Sequence, residues 1–318
     1  MADIGVFLNL PSTDAEALRR KQILEGGLPG LTFDYRHGGG DYSSYGSIAT
    51  DLVKSNPDAR VFVASCWPTM QALNNVTPTG IVYAGLTDSP DSWYSNNETG
   101  IKSFDPPELC PNWPYLLTQI APNVKNVAVI YDQDPSHPCM RGQYDAITTS
   151  SSSLGLPLVF TGIDARLEVL QLESAIDEFA KAAGAAAGLI VTSGTLTAGS
   201  RLNIIGSVAR NKLPAIYPNS LYTDSGKCPE AAGLISYGPN LSDLYQRAVS
   251  QFLAPILQAS VTTTNIRTEF QPVASTGADF NLVVSQSVAG ALSLTVPKSF
   301  TVIDANGQRR QVIPTLVS

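Results

Sequence analysis

Short, continuous apolar runs recur along this chain, at residues 4–8, 61–64, 80–83, 127–131, 156–160, 188–192, 215–217 and 233–236. Each run has the length of a strand. Runs without polar alternation are characteristic of strands buried on both faces of a parallel sheet. Between them, 14–24, 46–55, 69–74, 140–154, 167–183 and 200–211 have helical spacing and composition. The alternation predicts an α/β fold with parallel sheets covered on both faces by helices. A long helix is expected over 241–258, where Leu241, Leu244, Ala248, Phe252 and Ile256 step down one face.

The alternation restarts near the middle. Residues 88–114 are rich in Pro, Asn, Ser and Trp, and a second series begins after Ala121-Pro122-Asn123-Val124-Lys125-Asn126. At 318 residues the chain has room for about two domains of roughly 150 residues each. The expected organisation is two Rossmann-like lobes, residues 1–118 with 242–272 and residues 119–241 with 273–318. A helix at 114–120 closes the first. Lobes joined by more than one crossing place a ligand in their cleft, facing the carboxyl ends of the strands. The 25 Gly and 22 Pro supply the turns.

Composition removes several classes of function. Hydrophobic residues make up 43% of the chain and mean hydropathy is +0.04, enough for a real core. No apolar run reaches the roughly 18 residues of a membrane span. Twenty Lys and Arg against 27 Asp and Glu leave a net charge of −7, with no basic cluster longer than Arg19-Arg20-Lys21. Nucleic acid and acidic lipid are therefore not expected partners. The four cysteines, Cys66, Cys110, Cys139 and Cys228, form no C-x-x-C pair. Cys110 and Cys139 both sit in proline-rich loop sequence, where a disulfide in an oxidising compartment and unrelated thiols are both open readings. The start, MADIGVFLNLP, lacks a basic segment and a long apolar segment ahead of a cleavage site. It fits either a cytoplasmic protein or a mature domain whose leader has been removed.

Catalytic signatures are missing. There is no G-x-S-x-G elbow beside His37-Gly38-Gly39-Gly40, no phosphate-cradling G-x-x-x-x-G-K-[ST] and no G-x-G-x-x-G after a strand. Asp132, Asp134, His137 and Cys139 could supply metal ligands. Prolines interrupt the group, however, and transition-metal sites draw more His or Cys, so an exposed loop is the better reading. With two histidines in the chain, acid–base work would fall to carboxylates, and no carboxylate pair announces itself. No enzyme activity and no cofactor are expected.

Polar and aromatic residues instead gather where strands end. Ser65-Cys66-Trp67-Pro68-Thr69 follows 61–64, with a hydroxyl and free backbone N–H groups at a helix start suited to an anion. Asp88 follows 80–83, Tyr131-Asp132 ends 127–131, Ser193 follows 188–192, and Tyr217 leads into Asn219 and Tyr222. Aromatic faces clamp flat or apolar ligands, and an aspartate holds an amine. Taken singly, Ser65 is as readily a helix cap and Tyr217 a core residue. Their shared placement at strand ends in both halves favours ligand binding.

Six stretches point to a family: 48–65 (IATDLVKSNPDARVFVAS), 78–90 (PTGIVYAGLTDSP), 97–103 (NETGIKS), 120–131 (IAPNVKNVAVIY), 232–248 (AGLISYGPNLSDLYQRA) and 292–300 (LSLTVPKSF). The chain resembles the ABC-transporter substrate-binding proteins of the tryptophan/tyrosine type, which have the type I periplasmic-binding architecture. The run Ser236-Tyr237-Gly238-Pro239-Asn240 is the most specific part, and 292–300 fits a closing helix and proline turn. Ser89 separates Asp88 from Pro90 where the family has them adjacent. Cys110-Pro111-Asn112-Trp113 replaces a polar helix start, and Gly277-Ala278-Asp279 replaces a regular segment.

The resemblance implies a monomeric, periplasmic protein that closes on a small aromatic ligand, an aromatic amino acid or acid, and delivers it to an ABC permease in the membrane. Ser65, Trp67, Thr69 and Asp88 are the expected contacts from the first lobe. Tyr131, Asp132, Ser193, Tyr217, Asn219 and Tyr222 are those from the second, with Tyr237 near the hinge. Two other readings remain at this level: a cytoplasmic sensor on the same fold, and a metal enzyme built on 132–139.

Overall fold

The computed structural model describes residues 2–87, 95–104, 106–134, 138–223, 232–259, 266–274 and 276–318. Its strands are β1 (Ile4–Leu8), β2 (Phe33–His37), β3 (Val61–Ala64), β4 (Ile81–Thr87), β5 (Glu98–Phe104), β6 (Asn126–Tyr131), β7 (Val159–Asp164), β8 (Ala187–Val191), β9 (Ala215–Tyr217), β10 (Ile235–Pro239), β11 (Val273–Ala274), β12 (Phe280–Ser285), β13 (Phe300–Ile303), β14 (Arg309–Val312) and β15 (Thr315–Val317). The chain forms two compact units, Met1–Phe104 with Leu241–Ser275 and Asp105–Asn240 with Thr276–Ser318.

The first unit holds a wholly parallel sheet in the order β11-β5-β4-β3-β1-β2. Its buried residues sort by parity, as a pleated strand requires. Ile4, Val6, Leu8, Val61, Val63, Val82 and Ala84 face one way, against Ala17 and Leu24 of helix Ala15–Gly27 and against Leu244, Phe252 and Ile256. Phe7, Phe62, Ala64, Ile81 and Tyr83 face the other, against Ala49 and Leu52 of helix Tyr45–Ser55 and Met70 and Leu73 of helix Trp67–Asn74. The long helix expected over 241–258 forms, but a π turn at Val249–Leu253 divides it into Leu241–Ala248 and Ala254–Gln258. Pro255 explains the break, since it lacks the N–H that an α-helix would return to residue 251.

In the second unit the order is β15-β12-β10-β9-β8-β6-β7, parallel from β7 to β10, with β12 antiparallel to β10. Helices Val169–Ala183 and Arg201–Arg210 cover one face through Leu172, Ile176, Ile204 and Ile205. Helix Asn112–Ile120 belongs to this unit, which moves the first crossing to 104/105 from the 118/119 read off the sequence. The cause is packing. Trp113 is fully buried and its Nε1–H donates to the Tyr237 carbonyl at 2.8 Å, while an added Cβ on Gly188 would lie 3.3 Å from Leu117. The same helix grips the terminal β13–β14 hairpin through two side-chain amides. Asn112 exchanges hydrogen bonds with the Ile303 backbone (2.6 and 2.9 Å), and Gln119 does so with Thr301 (both 2.8 Å).

Some expectations shift. The strand read at 156–160 lies at 159–164, and the closing helix read at 292–300 is Gln286–Ala291, with an irregular stretch running on to β13. The Ser-Tyr-Gly-Pro-Asn run is a packing motif. Ser236 Oγ pairs with Thr223 Oγ1 at 2.9 Å, and any Cβ on Gly238 would fall 1.8 Å from the Pro218 carbonyl oxygen.

Candidate functional site

Both sheets contain the order 2-1-3-4-5 counted from their own first strand, so each reverses direction once, between β1 and β3 and between β6 and β8. Doubly wound sheets bind ligands outside the carboxyl ends of the strands at such a point, because the flanking connections diverge there and leave a crevice.

In the first unit Asn9 follows β1 and Ser65 follows β3, both buried. The Asn9 backbone N–H donates to Ser65 Oγ (2.8 Å), and Ser65 Oγ–H donates to Asn9 Oδ1 (2.9 Å). Arg20 Nη1 also reaches Asn9 Oδ1, at 3.4 Å. Thr69 is fully buried and turned inward: its Oγ1 accepts from the Ser65 and Cys66 N–H groups (3.2 and 3.1 Å) and donates to the Cys66 carbonyl (2.9 Å). That cap starts helix Trp67–Asn74 and leaves Trp67 half-buried at its first residue. Beside it the loop after β2 prolongs the sheet, with Gly38 N–H on the Leu8 carbonyl and Gly40 N–H on the Asn9 carbonyl. Gly40 has φ +87°, a conformation open to glycine at little cost. Under this loop Phe7, Tyr45 and Tyr42 form an aromatic series with centroid spacings of 5.1 and 5.5 Å. Asp88 lies outside the described residues.

The second unit is charged at the corresponding place. Asp132, 5% exposed, follows β6, and its Oδ1 accepts from the Asp134 N–H at 2.9 Å. Arg166, after β7, lies among three carboxylates: Asp164 at 2.7 Å, Asp134 at 3.4 Å and Asp132 at 3.8 Å. Among the described residues, one guanidinium thus faces three carboxylates at this edge. Burial tends to raise the Asp164 pKa, but hydrogen bonds from Arg166 and the Gln133 backbone outweigh it and hold that carboxyl below its usual value. Tyr131 stacks on Tyr144 at 4.5 Å, and the Arg141 guanidinium lies 5.4 Å from the Tyr144 ring centre. After β8, Ser193 is locked by Gln143, whose amide accepts from its N–H (2.8 Å) and donates to its carbonyl (2.9 Å).

Among the residues expected to contact a ligand, Ser65 and Trp67 share the first switch point, and Tyr131, Asp132 and Ser193 the second. Thr69, Tyr217, Asn219, Tyr222 and Tyr237 take structural positions. Asn219 Oδ1 caps the turn Ser220–Tyr222 by accepting from Leu221 N–H at 3.1 Å. Tyr217 and Tyr222 stack on each other at 5.0 Å inside the core. Tyr237 is buried edge-on to Phe280, its hydroxyl 3.4 Å from Arg310. Sequence reasoning missed Asn9, Arg20, Gln143, Tyr144 and Arg166. Only Asn9 carried a signal, as the first polar residue after an apolar strand.

Among the described residues no group of three or more His, Cys, Asp or Glu is arranged to hold a metal, and no helix is long and apolar enough to cross a membrane. Asp132 and Asp134 face Arg166, while His137 and the Cys139 side chain lie outside the described set, and with them the choice between a Cys110–Cys139 bridge and unrelated thiols. An open groove of about 450 Å³, lined by Asn74, Asn75, Thr77, Ser95, Asn96 and Asn97, lies at the amino ends of β4 and β5, away from both switch points.

No family model and no curated protein matches the chain. Solved structures do. An ABC domain in complex with L-Trp from Streptococcus pneumonia is similar with TM-score 0.74 and 18% identity, over 93% of this chain and 96% of that one. A ligand-free, open substrate-binding protein with adhesive properties from Clostridium difficile gives TM-score 0.61 at 19% identity, with the same coverage. An arabinose-binding protein from Geobacillus stearothermophilus gives 0.60 at 12%, over 91% of this chain and 99% of that one. The shared fold is the type I periplasmic-binding architecture, two doubly wound α/β lobes.

Proposed function

We propose that this chain is the solute-binding component of an ABC importer, a monomer without cofactor that works in the periplasm and hands a small solute to a membrane permease. The observation that carries the reading is that both units end their sheets at a switch point lined with polar and aromatic side chains. A solute that engages both favours a closed state by the contacts it makes only there. Likeness along nearly the whole chain to substrate-binding proteins supports the same reading.

The solute we infer is aromatic and carries a cationic nitrogen, as an aromatic amino acid does. Trp67 offers an apolar face, Tyr131 with Tyr144 an aromatic stack, and the carboxylates around Arg166 a negative edge for an ammonium group. The L-Trp bound to the Streptococcus domain supports this class, and the sugar named for the Geobacillus protein is the competing one. A thermal-shift screen against amino acids, aromatic acids, nucleosides and sugars decides between them. A solute present at a hundred times its Kd stabilises by about 2.7 kcal/mol. Shifts confined to aromatic amines and amino acids support the proposal. Shifts with sugars alone overturn the aromatic assignment, and a fall in midpoint with chelator but no solute effect overturns the binding reading.

A further inference from the structure

Arg20 is a buried cation that solute binding as outlined above leaves unused. It projects from helix Ala15–Gly27, is 6% exposed, and pairs through Nε with Glu16 Oε1 at 3.0 Å, so its charge is matched inside the unit. Its guanidinium packs over the Tyr245 ring at 5.1 Å, and Nη1 lies 3.4 Å from both the Tyr245 hydroxyl and Asn9 Oδ1. An arginine has donors and no acceptor, so the Asn9 atom facing it must be the oxygen. Ser65 imposes the same choice: its Oγ already accepts from the Asn9 backbone, and its proton goes to the same Oδ1.

With the oxygen held inward by two donors, the Nδ2 amide has one direction left. Asn9 is 6% exposed, yet among the described residues Nδ2 has no hydrogen-bond partner, and it is not sealed from solvent. It stands just past the carboxyl end of β1, at the switch between β1 and β3. We infer that Asn9 is a ligand-binding residue whose Nδ2 protons bind an acceptor oxygen of the solute, a carboxylate where the solute is an amino acid, and that Arg20 and Ser65 are the positioning residues that hold the amide in this orientation. The inference rests on the solute-binding reading. It supplies that reading with an anion-facing group in a unit that, among its described residues, presents no exposed arginine at its switch point.

Titration calorimetry with L-tyrosine, tyramine and 4-hydroxyphenylpropionate separates the parts. Asn9→Asp keeps an oxygen toward Arg20 and Ser65 and replaces the outward donors by a second oxygen. It weakens L-tyrosine and 4-hydroxyphenylpropionate by about a hundredfold and tyramine by less than about threefold, the size expected for a charge-assisted hydrogen bond turned repulsive. Arg20→Lys preserves the pairing with Glu16 but not the fork; it lowers the tyrosine-to-tyramine preference about tenfold. A merely structural Arg20 would lower the melting midpoint and leave that preference unchanged. Equal binding of all three solutes by wild type and Asn9→Asp overturns the inference while sparing the binding reading. A wild-type chain that takes none of the three overturns the aromatic solute assignment, and the inference falls with it.

Discussion

At the first switch point β1 and β3 are followed by Asn9 and Ser65, an uncharged pair beside which Arg20 pairs with Glu16 inside the unit. At the second, β6 ends beside Asp132, and Asp134 and Asp164 gather with it around a single exposed Arg166. The strand orders are the same and the chemistry is opposite. A sheet order decides where a crevice opens. Which side chain stands there is decided one residue past each strand, where nothing in the packing of the sheet constrains polarity. Two copies of one architecture can therefore carry unlike chemistry at the same place in the fold.

The largest effect that separates the units concerns stability. Trp113→Ala removes a fully buried indole and its hydrogen bond from the second unit and should cost about 3–5 kcal/mol. Hydrogen exchange should then rise across 105–240 and 276–318 and stay near wild type in 1–104. A rise spread evenly over both would mean that helix 112–120 supports the first unit as well.

Asp132→Asn tests the negative edge. Removing one carboxylate should weaken an amine-bearing aromatic solute by about 10- to 100-fold, the worth of a charge-assisted hydrogen bond, and leave its deaminated acid unchanged. Equal loss for both in calorimetry would show that Asp132 only shapes the loop.

Glu98 gives the first unit a pH dependence of its own. It is 1% exposed at the start of β5, and burial raises its pKa to about 7, against the opposing effects of the Ser95 N–H and Arg267. The folded chain keeps the proton that the unfolded chain releases near 4.5. Its contribution is thus fully present below about pH 4.5 and is lost as pH rises through about 7. Glu98→Gln should flatten the fall in stability between these values, a difference of about 1–2 kcal/mol after screening, read from denaturant midpoints. An unchanged slope would place the titration elsewhere.

Two tyrosines supply the smallest contrast. The Tyr217 hydroxyl is buried without a hydrogen-bond partner among the described residues, whereas the Tyr245 hydroxyl meets Arg20. Tyr217→Phe should be neutral or stabilising by up to about 1 kcal/mol, and Tyr245→Phe destabilising by about 1 kcal/mol. Equal midpoints for the two variants would show that the Arg20 contact contributes nothing.

Strands whose residues are apolar throughout, such as β1, β3 and β8, were legible because both faces of a central strand need the same residue type. The edge strands β2 and β7 were not. Phe33–His37 is half-buried and polar, and Val159–Asp164 is mostly exposed, so the first was missed and the second misplaced. β5 was hidden for another reason: Glu98 and Thr99 are polar residues in a buried strand, paired with the Ser95 N–H and with the Phe270 carbonyl far along the chain, partners that no periodicity announces. Of the expected ligand residues, Asp132 and Ser193 stand at a switch point. Tyr217 and Tyr222 were chosen on the same rule, yet stack inside the core. Proximity to a strand end says where the backbone is; the rotamer and its neighbours decide where a side chain goes.

By itself, the sequence determined the α/β class, the restart that makes two units and the strands at each unit's centre. These follow from local patterns, since burial on both faces writes itself into every residue of a central strand. Tertiary structure decided the rest. The first crossing falls at 104/105 because Trp113 and Leu117 pack on the second sheet, a contact with partners distant in sequence. Asn9 shows its amide outward because Ser65 and Arg20 hold its oxygen, and Arg166 is ringed by carboxylates from two strand ends. Charge and hydrogen bonding act over a few ångströms of space, whatever the distance along the chain, and only folding brings those partners together.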